Sequence, residues 1–169
     1  MFMNVLNSAL LLLFYVAPHI VSPEHIVYRS SNEFYEREVV RLVNQHRNEH
    51  GLKPLIINKD LTQAARYHAL DMGSKNYFSH DTQNNSSISS KKSIPFYERV
   101  REFFKTRVAL GENIGGGYTS PEAVVRGWMN SKGHRENILH SGWTSIGVGY
   151  IKVDHSVYGH YWVQDFAGN

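Results

Sequence analysis

The sequence predicts an α+β domain, with helices through its first two thirds and a strand hairpin at its C-terminus. Three observations carry this expectation. Apolar residues recur three and four apart from Val39 to Val43 and from Leu61 to Met72, the period of helices with one buried face. The same spacing returns in a third segment, Val124 with Trp128 and Val125 with Met129. Ser145 to Val153 and Tyr158 to Phe166 read instead as strands, joined antiparallel by a turn near Asp154-His155-Ser156.

Each element has local chemistry to start and stop it. Asn32 can cap the first helix, whose inner face is Val39, Leu42, Val43 and His46; Gly51 and Pro54 stop it. Asn58 or Asp60 can cap a second helix with Leu61, Ala64, Ala65, His68 and Met72 inside, and Tyr77-Phe78-Ser79-His80 leaves it. Residues 81–93 are polar and aperiodic, so an exposed loop is expected; Asn84 and Asn85 each begin an N-x-S sequon. From Pro95 to Lys105 a short helix should face Phe96, Val100 and Phe103 or Phe104 inward.

Gly111 to Leu139 is the most site-like stretch. Gly111-Glu112-Asn113-Ile114 sets an acid among small and polar residues, and Gly115-Gly116-Gly117 can take positive φ or admit another backbone. Ser120, Pro121 and Glu122 are a good N-cap, first helical residue and dipole partner for the following helix. That helix should end near Ser131-Lys132-Gly133, with His134 directly after it.

The 169 residues fit one domain at 30–169, with a core of ordinary size. A composition 41% hydrophobic and 20% charged argues against a disordered chain. Met1 to Ser22 has no Asp, Glu, Lys or Arg, and Leu10 to Val16 is continuously apolar. This run is short for a membrane span and reads as a signal peptide over 1–22, giving an exported, extracellular protein with no stable span after its removal. A net charge of +3 does not indicate a nucleic-acid reader. The absence of cysteine excludes disulfides, zinc fingers and cysteine nucleophiles.

Several motifs together are similar to the CAP superfamily, the cysteine-rich secretory, antigen 5 and pathogenesis-related 1 (SCP-domain) group. They are N-x-x-R-x-x-x-G-L-x-P-L from Asn44 to Leu55, L-T-x-A-A from Leu61 to Ala65, and Y-F-S-H from Tyr77 to His80. G-E-N-I at 111–114, W-M-N-S-x-G-H-R-x-N-I-L at 128–139, I-G-V-G-Y at 146–150 and Y-W-V-Q-D-F at 161–166 complete the set. The cysteine-free chain looks most like the compact bacterial members. The resemblance implies an α-β-α sandwich with a small antiparallel sheet and a cleft on one face. It also implies that His80, Glu112 and His134 line that cleft, with Ser131 where a second glutamate usually stands.

Two imidazoles and a carboxylate can hold zinc with an open fourth position, so His80, Glu112 and His134 are the candidate metal ligands. The leading expectation is a monomeric domain whose cleft binds an extracellular ligand, be it cell-wall material, glycan, peptide or lipid. One alternative is a zinc-dependent hydrolase of a peptide, glycan or ester, with those three residues as its catalytic set. Another is a non-catalytic interaction module in which they form only a polar network.

Other candidates are weaker. His46-Arg47-Asn48-Glu49-His50 fits the inverted zinc-protease pattern, but it ends its helix against Gly51 and no third ligand stands out. His46 is expected to be packed or hydrogen-bonded, with Glu49 and His50 solvated. No G-x-S-x-G elbow exists, and His68 should be a satisfied core histidine. His140, His155 and His160 read as surface or hairpin residues. Lys91, Lys92, Arg99, Arg101, Lys105 and Arg107 form a basic segment, expected to be a solvated helix face rather than a dock for polyanions.

Overall fold

The computed structural model describes residues 27–83 and 92–169. The expected leader at 1–22 and the middle of the polar loop at 81–93 lie outside the described residues. In chain order the elements are α1 (Glu33–Glu49), β1 (Ile56–Ile57), α2 (Lys59–Lys75), β2 (Thr82–Gln83), β3 (Ser93–Ile94) and α3 (Phe96–Phe103). They continue with β4 (Ala109–Gly116), α4 (Pro121–Asn130), α5 (Lys132–Ile138), β5 (Trp143–Lys152) and β6 (His160–Gly168).

The helix starts are set by the expected caps. Asn32 Oδ1 accepts from the amides of Phe34 and Tyr35 at 3.1 and 3.3 Å, and Asn58 Oδ1 from those of Asp60 and Leu61 at 2.9 and 3.1 Å. Ser120 Oγ accepts from the Ala123 amide at 3.2 Å, with Pro121 opening α4. α2 ends where Asn76 adopts the left-handed conformation, φ 55°.

Three layers result. The main sheet runs β1-β5-β6-β4, with β1 parallel to β5 and the other pairs antiparallel. On one face, Val39, Val43, Val124, Val125 and Trp128 from α1 and α4 pack on Ile146, Val148, Trp162 and Phe166. On the other, Ala65, Ala69 and Met72 of α2 pack on Ile114, Ile151, Tyr161 and Val163, while Leu61 and Ala64 meet Val100 of α3. The fold is α+β with the sheet between helical layers. The I-G-V-G-Y spacing has a steric cause here: a Cβ at Gly147 or Gly149 would collide with the backbone of α2 at Leu61 or Ala65.

Besides the two-residue strand β1, the structure departs from the sequence reading in three places. Ala109 to Gly116 is a full strand, so of Gly115, Gly116 and Gly117 only the last takes a positive φ, at 82°. The ends of the polar loop pair as the antiparallel ribbon β2–β3. Ser131 leaves the helical region at ψ 126°, and its carbonyl accepts from the Arg135 amide at 2.9 Å to begin a new helix. His134 therefore lies inside α5 rather than beyond the end of α4. No helix among the described residues is long and apolar enough to cross a membrane.

Candidate functional site

β4 is an edge strand of the main sheet, and its alternation sends consecutive side chains into different layers. Glu112 points toward α3, where Arg99 Nη2 donates to its Oε2. Asn113 points the other way, toward α5. The segments carrying the two candidate histidines thus approach the same strand from opposite faces.

His80 follows α2 and its side chain remains 48% exposed, whereas that of Glu112 is 1% exposed. His80 Nδ1–H donates to Glu112 Oε1 at 2.8 Å. Arg99 fixes both partners: Nη1 donates to the His80 carbonyl at 2.7 Å and to Thr82 Oγ1 at 3.2 Å. Burial works against the Glu112 charge, but Arg99 and the His80 hydrogen bond outweigh it, and its pKa stays below the usual glutamate range. Glu112 is an ionised carboxylate with each oxygen engaged.

The inner wall is neutral. His68, fully buried, donates from Nε2 to the Ser79 carbonyl at 2.8 Å, and Nδ1 faces the Thr82 hydroxyl at 3.4 Å. Burial first, and then the charge of Arg99, push its pKa down to about 4. It is the satisfied core histidine that its helical position predicts.

On the opposite side, α5 is fastened to β4 through amides. Asn137 Nδ2 donates to the Glu112 carbonyl at 2.9 Å and to Asn113 Oδ1 at 3.1 Å. Asn113 Nδ2 in turn donates to the His134 carbonyl and to Gln164 Oε1, both at 3.1 Å. His134 is half-buried; burial first, and then the charge of His80, lower its pKa. The two imidazoles are therefore within electrostatic reach of each other. Among the described residues, no group of three His, Cys, Asp or Glu side chains is placed to hold a metal ion.

Two residues of the candidate site escape the sequence reading. Arg99, assigned there to a solvated basic face, is 3% exposed and clasps Glu112. Its spacing offers a signal, because Phe96, Arg99, Val100 and Phe103 share one helical stripe. Asp165 pairs in register with Glu112 across β4 and β6, is fully buried, and receives no N–H or O–H donor on either carboxyl oxygen. Burial, then the neighbouring Glu112 charge, push its pKa well above the aspartate range, which favours its neutral form. Nothing in the alternation of β6 distinguishes it from its apolar neighbours.

The remaining histidines sit elsewhere. His46 Nδ1 lies 3.2 Å from Glu49 within α1, and exposed His50 bonds the His46 carbonyl at 2.8 Å. Arg47, between them, is buried and donates to the carbonyls of Lys53, Ile138 and His140, closing the first helix against the end of α5. His140 lies against Trp143, His155 sits in the hairpin turn, and His160 Nδ1 is hydrogen-bonded with Tyr150 OH at 2.8 Å.

The chain as a whole is similar to several known proteins. The chain is 42% identical over 139 residues to the uncharacterized protein YkwD of Bacillus subtilis (strain 168), covering 82% of this chain and 49% of that one. It is 33% identical over 134 residues to the uncharacterized membrane protein YlbC of the same organism, covering 79% and 36%. The chain thus spans half or less of the length of these relatives. An extracellular protein containing an SCP domain from Bacillus anthracis superposes with a TM-score of 0.67 at 28% identity, over 81% of this chain and 41% of that one. An outer surface protein of Borrelia burgdorferi shares the fold at a TM-score of 0.65 and 19% identity, over 79% and 91%. Residues 40–166 match the model of the cysteine-rich secretory protein family, CAP, and the chain belongs to that family.

Proposed function

We propose that the protein works outside the cell as a ligand-binding CAP domain, and that His80 and His134 form the binding face of its cleft. Relatives described as extracellular or outer-surface proteins support the location. The carrying observation is the 2.8 Å bond from His80 Nδ1 to Glu112. A neutral imidazole that donates from Nδ1 presents a lone pair at Nε2, and a carboxylate behind it makes that nitrogen a better ligand.

Two neutral imidazoles suit zinc or copper better than calcium or magnesium. Zinc would be held by His80 and His134, leaving positions for water or a ligand donor, and would supply Lewis acidity there. Glu112 serves such a site by orienting His80 rather than by direct coordination, because Arg99 already occupies its other oxygen. That same engagement argues against Glu112 as the base of a hydrolase and favours binding over turnover. Arg99 holds the loop carbonyl of His80 in place, and Asn113 and Asn137 do the corresponding work for α5.

Zinc calorimetry at neutral pH tests the reading. About one zinc should bind per chain, and His80→Ala or His134→Ala should remove most of the binding. His46→Ala and His50→Ala should leave it unchanged. Loss in the His46 or His50 variant alone would move the site to α1. No binding to the unmodified protein would leave only a polar network.

A further inference from the structure

α3 divides the basic segment into two populations. Arg99 turns inward to Glu112, while Arg101, Lys105, Thr106 and Arg107 line a separate open concavity of about 660 Å³ at the end of α3 and the link to β4. Three cations and a hydroxyl form this lining, with no acid and no apolar side chain among them. Their compensation is slight. Lys105 reaches Glu102 at 3.4 Å with both side chains more than two-thirds exposed, and Arg101 lies 5.7 Å from the centre of the Tyr97 ring. Arg107 makes no ion pair or side-chain hydrogen bond among the described residues. Like charges gathered around one hollow raise the local potential and favour an anion that bridges them.

We propose that this concavity is a binding site for a phosphate-bearing linear polymer, distinct from the histidine cleft. Arginine and lysine side chains pair with phosphate oxygens, and Thr106 adds a hydroxyl donor. A hollow admits a chain of phosphates in single file. A bilayer dock of similar charge would carry apolar side chains beside the cations, to enter the headgroup region. The lining has none. Neither His80 nor His134 is among the lining residues, so the polymer anchors the domain without occupying the histidine cleft.

Inorganic polyphosphate is a suitable probe, titrated calorimetrically into the protein at low ionic strength. Binding should weaken with salt at a log–log slope of about −2, the value for three phosphate contacts on a flexible strand. Combining Arg101→Ala, Lys105→Ala and Arg107→Ala should weaken it about 100-fold, from a factor of about five for each surface cation. An equal removal of exposed charge elsewhere, Lys53→Ala with Lys59→Ala and Lys132→Ala, should change it less than about threefold if the site is local. The single variant Arg107→Glu should also weaken binding while retaining the melting temperature. Equal losses in the two triple variants would overturn the proposal in favour of net charge alone. So would stronger, equally salt-sensitive binding to vesicles of anionic phospholipid. Retained zinc binding in the Arg101/Lys105/Arg107 variant separates this outcome from failure of the cleft reading.

Discussion

The Glu112 carboxylate is the residue on which the site turns, and its neighbours divide into one that balances its charge and one that yields to it. Arg99 balances it. Arg99→Ala should cost about 3–5 kcal/mol, the range for removing one member of a buried ion pair, while Arg101→Ala should stay within about 0.5 kcal/mol. Denaturant melts of the two variants check this contrast. Asp165 yields: its folded pKa lies above the unfolded aspartate value. The stability associated with its proton is complete below the unfolded pKa near 3.8 and is lost as pH rises toward the folded one. Asp165→Asn should therefore stabilise the protein more at pH 7 than at pH 4. Equal effects at the two values would show that Asp165 is not a buried acid. The sequence contains both residues in plain view but not their pairing. Arg99 shares a helical stripe with Phe96 and Phe103, whereas Asp165 is revealed only by the register that sets it opposite Glu112.

At the level of elements, caps and helical spacing were legible because they are local. Asn32, Asn58 and Ser120 each accept amide hydrogens where the sequence places a cap. β4 was illegible for the converse reason. Ala-Leu-Gly-Glu-Asn-Ile-Gly-Gly has glycines and buried polar groups where a strand normally shows alternating β-branched residues. Its strand character comes from pairing with β6 along Ala109 to Gly116. β1 is a similar case, two residues defined by their parallel partner in β5. Helix α4 supplies a direct test of packing: Trp128 is 1% exposed, and its indole Nε1 donates to the Ile114 carbonyl at 2.9 Å. Trp128→Ala should cost about 3–5 kcal/mol, visible as a large fall in melting temperature. Gly149→Ala should destabilise as well, by about 1–3 kcal/mol, because the methyl group enters the backbone of α2 rather than a cavity. Thermal melts rank these variants against the parent.

For the whole molecule, the layered fold makes one edge strand the meeting place of two otherwise separate helical layers. α2 and α3 deliver His80 and Arg99 from one face, and α5 delivers His134 from the other. The resemblance placed His80, Glu112 and His134 in one cleft; the geometry gives Glu112 the role of anchor and leaves the imidazoles outermost. Zinc affinity should fall as the pH is lowered, because a protonated imidazole cannot coordinate, and the lowered pKa of half-buried His134 keeps that imidazole available to more acidic pH than a free one. The most direct test is imidazole ¹⁵N NMR of the protein at pH 7.5 with one equivalent of zinc. The account predicts large shifts at His80 Nε2 and at one ring nitrogen of His134, with His80 Nδ1 still protonated and the Glu112 carboxyl carbon scarcely moved. Zinc-dependent shifts at His46 or His50 instead, or loss of the His80 Nδ1 proton with a large change at Glu112, would contradict it.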